Sequence, residues 1–311
     1  MTQQQPMSRR AFLAASAAIA AAASVAALAP ARGHAADPLL TRVIPSTGER
    51  LPAVGLGTWI TFNIGDDPGA QKQRTEVLRT FFAAGGGMID SSPMYGSSQA
   101  VVGHGLRELG RPAGLFAADK VWTPFKGEAQ VEQSRRLWGV SRFDLLQVHN
   151  LLAWETHLEM LKAMKAEGTL RYVGITTSEG RRHDEFERIM RKEPLDFVQF
   201  SYNVLDREAE ARLLPLAQDR GMAVIANRPF RQGALTAALE RHPLPGWAAE
   251  IGCASWAQAL LKFILAHPGV TCAIPATSRP DHGLENMAAA REPLPDAGLR
   301  ARMIADVERL A

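Results

Sequence analysis

Cysteine is scarce in this chain: only Cys253 and Cys272 occur among 311 residues. Two thiols so placed make no disulfide framework, and each lies in an apolar segment, which predicts buried free thiols, with a disulfide between the two as the alternative. A large excess of one charge sign is lacking too. The formal net charge of +3 is spread along the chain without a basic stripe, which excludes a nucleic-acid surface or a polybasic membrane patch and leaves small molecules as partners. Histidines at zinc-ligand spacing are missing, as is a His-Glu-x-x-His helix, so no metal site is expected. Without a Gly-x-Ser-x-Gly elbow, a serine-nucleophile triad has no foundation. Internal repeats and low-complexity linkers are also lacking.

What is present begins with an N-terminal segment that stands apart from the fold. Ser8-Arg9-Arg10-Ala11-Phe12-Leu13 leads into an Ala-rich run, Ala14 to Ala29, and then to Gly33-His34-Ala35, a small-x-small cleavage site. Paired arginines before a weakly apolar run resemble a twin-arginine export signal. Cleavage after Ala35, use of the twin-arginine export machinery and a periplasmic mature protein without a stable membrane span are therefore expected. Residues 36–311 then match the size of one (β/α)8 barrel.

From Leu51 onward, short apolar runs alternate with amphipathic segments. Strands are predicted at 53–58, 88–90, 115–121, 143–149, 172–176, 197–202, 223–227 and 270–274. Helices are predicted at 71–84, 98–109, 128–138, 155–167, 181–192, 206–220, 254–266 and 297–310. Near-continuous apolar strands separated by helices imply a parallel sheet buried on both faces, and eight of them imply closure into an α/β TIM barrel. Residues 41–53 read as an N-terminal β-hairpin plugging the barrel floor, and 280–291 as an extra short helix after the eighth strand.

In such a barrel, function sits at the C-terminal strand ends. Those ends carry Asp90, Lys120, His149-Asn150, Thr176-Thr177 and Asn227-Arg228, with Gln199 inside the sixth strand. Tyr95 follows Asp90 at the turn into the next helix. A phenol titrating near 10 is a weak acid for neutral pH, and a nearby ammonium favours the phenolate. Lys120 is thus expected to lower the pKa of Tyr95, Asp90 to hold Lys120 charged, and a neutral His149 to orient a substrate oxygen. Together they protonate a carbonyl while hydride arrives from a bound cofactor.

At this point the residues resemble the aldo-keto reductases, over nearly all of the mature chain. PAVGLGTW at 52–59, MIDSSPMYG at 88–96, LFAADKVW at 115–122 and DLLQVHN at 144–150 carry the resemblance in order. It implies a catalytic tetrad of Asp90, Tyr95, Lys120 and His149, and an extended NADP(H) or NAD(H) bound without a Gly-x-Gly-x-x-Gly domain. It also implies cofactor contacts at Thr58, Thr176, Thr177, Gln199, Thr277, Glu285 and Asn286. Asn227 replaces an aromatic that stacks on the nicotinamide in the family, so Arg228 or Phe230 is the candidate cover. IPATSRPDHGLEN, 274–286, resembles the adenosine 2'-phosphate motif, with Ala276 at its lysine position and His282 at its arginine position. Arg279 is the candidate substitute clamp. The preference between NADP(H) and NAD(H) is left open.

Trp59, Trp122 and Trp154 are candidate pocket walls. The expected activity is NAD(P)(H)-dependent interconversion of carbonyl compounds and alcohols, with Tyr95 as proton donor and acceptor. A cofactor-binding barrel with little turnover, acting as a sensor or regulatory subunit, fits the same residues. So does an isomerase or eliminase that redox-cycles a retained cofactor.

Overall fold

Each short apolar run becomes a strand because its neighbours on both sides are apolar and its flanks are turn formers. The computed structural model describes residues 38–311; the expected signal segment, 1–35, lies outside the described residues. A hairpin of β1 (Thr41–Val43) and β2 (Arg50–Pro52) pairs antiparallel, with Thr41 opposite Pro52. Eight parallel strands follow: β3 (Leu56–Gly57), β4 (Met88–Asp90), β5 (Phe116–Val121), β6 (Leu145–Val148), β7 (Tyr172–Thr176), β8 (Phe197–Ser201), β9 (Ala223–Asn227) and β10 (Cys272–Ala273). They are hydrogen bonded in chain order. Bridges between Val54 and Ala273 and between Gly57 and Ala276 join the last strand to the first. Gly57 permits that closure, since a Cβ there would lie 2.7 Å from the Ile274 carbonyl oxygen.

Helices cover the ring: α1 (Pro68–Ala83), α2 (Ser98–Glu108), α3 (Glu128–Trp138), α4 (Trp154–Ala166), α5 (His183–Lys192), α6 (Leu213–Asp219), α7 (Ala234–Leu239), α8 (Trp247–Glu250), α9 (Trp256–Leu265), α10 (Pro280–Ala288) and α11 (Ala297–Leu310). Local chemistry sets their ends. Asp67, Ser255 and Asp296 cap α1, α9 and α11 by accepting N–H groups of Ala70, Gln258 and Leu299. Among the described residues, no helix is long and apolar enough to cross a membrane.

Two apolar layers result. Inside the ring, Ile44, Leu51, Met88, Phe116, Leu145, Phe197 and Ile225 fill the N-terminal half. Full burial of each such side chain contributes about 1.5–3 kcal/mol. Outside it, residues such as Ile89, Val148, Ile175, Phe200 and Leu261 join strands to helices. The hairpin is tied to the floor by Tyr172, which donates to Glu49 at 2.6 Å, and by Arg171, which bridges Glu49 and Asp144. Polar chemistry is thereby confined to the opposite, C-terminal mouth.

Where structure and sequence expectation differ, a local cause is visible. The single helix expected at 206–220 is a one-turn 3-10 segment at Glu208–Glu210 followed by α6. Pro215 is tolerated only in the first turn of a helix, so a helix begun at 206 would place it in the interior. The short helices α7 and α8 were not expected; at six and four residues they are too brief to establish a helical period. The extra helix ends at Ala288 instead of Arg291. Cys253 and Cys272 are both buried and free.

Asp119 is fully buried on the helix-facing side of β5, accepting from Gln99 Nε2 at 2.7 Å and from the Lys120 backbone at 2.8 Å. Burial, outweighing these bonds, pushes its carboxyl from 3.8 up to about 7. The folded protein therefore binds an extra proton between those values, and stability falls as pH rises through the window. The swing is up to about 4 kcal/mol. Urea unfolding of Asp119→Asn between pH 4 and 8 is expected to show a flattened profile, with the Gln99 amide flipped to accept from the new amide.

Candidate active site

Four strands and one turn deliver the central groups. Asp90 closes β4, and Ser92-Pro93 then starts a 3-10 turn, Pro93–Tyr95, in which Ser92 Oγ accepts the Met94 N–H at 3.1 Å. Gly96 follows with φ 61°, where a Cβ would meet the Asn63 side chain at 2.3 Å. Asn63 Oδ1 in turn accepts the Ser97 N–H at 3.0 Å. Tyr95 is thus fixed between its own turn and the loop after β3.

Below it lies a buried ion pair. Lys120 Nζ donates to Asp90 Oδ2 and, at 2.8 Å, to the Ser91 carbonyl. The other oxygen of Asp90 accepts from Gln199 Nε2 at 3.0 Å and Gln147 Nε2 at 3.3 Å. Neither residue of the pair is more than 2% exposed. Lys120 Nζ stands 5.0 Å from the Tyr95 ring centroid. His149 meets Tyr95 edge-on, with centroids 5.5 Å apart, and Trp59 stacks on it at 6.1 Å.

Electrostatics follow from this packing. Burial works to neutralise Lys120, but the negative charge of Asp90, with Tyr95 and Asp119, outweighs it and holds the ammonium above its ordinary pKa. His149 is driven well below its usual range, by burial first and then by the charges of Lys120 and Arg181, so its imidazole is neutral. For Tyr95 the expected direction is corrected. Burial raises the phenol and Lys120 lowers it, and burial prevails, so its pKa lies above 10.

Above the cluster opens a cavity of about 410 Å³, within the range of small-ligand sites. Asp90, Tyr95 and His149 form its inner end. Thr58, Thr176, Thr177, Gln199, Asn227, Arg228, Phe230, Thr277, His282, Glu285 and Asn286 also line it. Several of these are already committed to protein partners. Thr58 Oγ1 donates to the Asp90 carbonyl at 2.9 Å, Thr177 Oγ1 to the Arg181 carbonyl at 2.6 Å, and Asn227 Nδ2 to the Thr177 carbonyl at 2.9 Å. Asn227 Oδ1 accepts from Ser201 Oγ at 2.7 Å. Arg228 Nη1 lies 2.7 Å from Glu179, close enough for an ion pair though not aligned as a hydrogen bond.

Three expected residues stand elsewhere. Arg279 is outside the lining because its guanidinium is held by Asp281 of the same turn. Trp122 is exposed beyond the lining, its backbone bonded to the Gln130 amide, and Trp154 packs against the core from the first turn of α4. Sequence reasoning missed Gln147, which braces Asp90, and Ser92, whose Oγ lies 2.7 Å from His149 Nδ1. Gln147 is legible as a polar residue inside an otherwise apolar predicted strand, two positions before His149; the structure ends β6 at Val148 and places His149 in the 3-10 turn that follows. No group of three metal-ligating side chains occurs among the described residues.

The residues present fit a nicotinamide dinucleotide. Amides and hydroxyls crowd the inner end, the segment before α10 supplies Ser278, and α10 itself supplies His282 and Asn286. Ring, ribose and phosphate partners are therefore all available along one cavity.

A closed eight-stranded barrel with a tyrosine, a lysine-carboxylate pair and a neutral histidine at its mouth defines a barrel oxidoreductase in class. The Aldo/keto reductase family model matches residues 53–301, and the chain belongs to that family. Methylglyoxal reductase YeaE of Escherichia coli is 29% identical over 80% of this chain and 89% of its own. The NADH-specific methylglyoxal reductase of the same organism is 27% identical over 65% and 71%. Aldo-keto reductase YhdN of Bacillus subtilis is 28% identical, and the match spans 62% of the length of each chain. A crystal structure of an aldo/keto reductase from Klebsiella pneumoniae in complex with NADP and acetate superposes with a TM-score of 0.70 at 26% identity, over 86% of this chain and 94% of that one.

Removing one member of the buried pair leaves the other charge unpaired. Lys120→Met is expected to lower unfolding free energy by about 3–5 kcal/mol. Urea denaturation beside the parent protein checks this; an unchanged midpoint would mean that Lys120 and Asp90 do not act as an ion pair beneath Tyr95.

Proposed function

We propose that the chain is an NAD(P)(H)-dependent reductase of aldehydes, ketones or sugars, and an alcohol dehydrogenase in reverse. The observation that carries this is the Tyr95 phenol, set edge-on to the His149 imidazole and 5.0 Å from the buried Lys120 ammonium at the floor of a cavity. A nicotinamide cofactor in that cavity supplies the hydride. The chain's own residues do the rest. His149 orients the carbonyl oxygen toward Tyr95. In reduction the Tyr95 O–H bond would break and its proton would pass to the substrate oxygen, forming the product hydroxyl. The phenolate left behind is stabilised by Lys120, whose charge Asp90 secures. Water returns the proton to Tyr95 after product leaves.

A cofactor there would meet Gln199 at its carboxamide, Arg228 and Phe230 at its ring, and Thr277, Glu285 and Asn286 at its adenosine, while Asn227, bonded to Thr177 and Ser201, would form the wall beside it. Arg279 and Asp281 are each more than half exposed, so solvent screens their ion pair and a 2'-phosphate can compete for the guanidinium. Both cofactors are therefore compatible with the site, as they are among the relatives.

The N-terminal residues Ser8 to Ala35 support export through the twin-arginine route, which carries folded proteins and so allows cofactor to be loaded before crossing. A mature periplasmic chain starting at Ala36 is expected in mass spectra of that fraction. Arg9→Lys with Arg10→Lys is expected to leave the precursor in the cytoplasm.

Tyr95→Phe is expected to lower kcat on an aldehyde and sugar panel by about 10²–10⁴-fold. Fluorescence titration with NADPH and NADH is expected to show binding unchanged by the substitution. Tight cofactor binding by the parent protein with no hydride transfer to any carbonyl would instead favour a sensor or regulatory subunit. Product formed without added cofactor would favour a redox-cycling isomerase or eliminase.

A further inference from the structure

His149 has two ring nitrogens, and which one carries the proton decides whether it gives or takes a hydrogen bond at the substrate oxygen. The backbone of Ser92 is extended, with φ −165° and ψ 148°, and its side chain caps the turn that carries Tyr95. Ser92 is fully buried. Its Oγ accepts the Met94 N–H at 3.1 Å and has one further polar neighbour among the described contacts, His149 Nδ1 at 2.7 Å. A hydroxyl owns a single proton.

Only two proton arrangements are available to a neutral imidazole here. With the proton on Nδ1, Ser92 Oγ receives two N–H donors and its own proton, fully buried, is left without an acceptor among the described residues. An unmet buried donor costs about 1–3 kcal/mol. With the proton on Nε2, Ser92 donates to Nδ1, and every group is satisfied. The second arrangement also leaves Nε2–H directed away from Ser92, on the side where His149 lines the cavity.

We infer that Ser92 is a positioning residue: through its hydroxyl it fixes His149 as the Nε2–H tautomer, so that the site presents a hydrogen-bond donor and selects substrates by an oxygen acceptor. This rests on the carbonyl-reductase reading for its consequence, though not for its geometry. The same serine anchors the turn of Tyr95, so proton donor and oxygen-orienting group are set by one hydroxyl. A carbonyl oxygen has lone pairs for both donors, whereas an ammonium or amide N–H has none to offer.

The tautomer is read directly by long-range proton–nitrogen NMR on the cofactor-free protein labelled at histidine, with His149 assigned by loss of its signals in His149→Gln. The expected result is a pyridine-like Nδ1 and a pyrrole-like Nε2 that persist from pH 6 to 8. In Ser92→Ala the two nitrogens are expected to move toward averaged positions, and kcat for an aldehyde to fall about tenfold, the loss of one oriented hydrogen bond. The cofactor Kd is expected to stay within about twofold, which a general loosening of the site would not allow. Ser92→Thr, which keeps the hydroxyl on an extended backbone, is expected to restore both signals and kcat. A pyrrole-like Nδ1 in the parent protein, or an unshifted His149 in folded Ser92→Ala, would overturn the inference. If Ser92→Ala does not fold, the parent spectrum and Ser92→Thr still decide it. Absence of carbonyl turnover with the expected tautomer present would instead count against the reductase reading.

Discussion

The buried pair of Lys120 and Asp90 is the interaction on which the rest of the site depends. Two charges removed from water are expensive unless good geometry and further hydrogen bonds compensate them. Here compensation comes from the end of Asp90's own strand and from two others: the Ser91 carbonyl for the lysine, and the Gln147 and Gln199 amides for the carboxylate. Such a set forms only when the ring is closed with each strand in register. Closure depends in turn on close backbone approach at Gly57 and on the apolar plug at the other end. The barrel's stability and its chemistry are therefore segregated along one axis, with the floor apolar and the mouth polar.

From that pair the charge acts in different senses on its neighbours. It helps keep His149 neutral, and it draws Tyr95 toward ionisation while burial draws it the other way. Burial prevails at the phenol, which leaves Tyr95 protonated and suited to giving a proton. The lysine acts mainly after the proton has gone, when a phenolate stands beside it. Stabilisation of charge where it develops, rather than in the resting state, is the arrangement that lowers a barrier.

Much of this was legible in the sequence because strands and strand ends leave periodic traces. The alternation of apolar runs and amphipathic segments located all eight strands, and the five-residue step from Asp90 to Tyr95 marked the turn into a helix. Other features left no such trace. The direction of the Tyr95 shift depends on how completely the phenol is covered, and composition does not record that. Arg279 looked like a free cation, but Asp281 two residues later closes on it. Trp122 and Trp154 follow strand ends yet point away, because a position just beyond a strand can face either side. The role of Ser92 depended on a histidine 57 residues further along the chain.

The account stands most directly on the protonation of Tyr95. The chain has only three tyrosines, so carbon-13 labelling at the ring carbon bearing the hydroxyl gives three signals, with Tyr95 assigned by its loss in Tyr95→Phe. Followed by NMR in the cofactor-free protein as pH is raised from 7, Tyr95 is predicted to remain a phenol past the ordinary tyrosine value of about 10. Ionisation of Tyr95 below that value would contradict the account, because it would show that Lys120 outweighs burial and that the resting site is poised to take a proton instead of giving one.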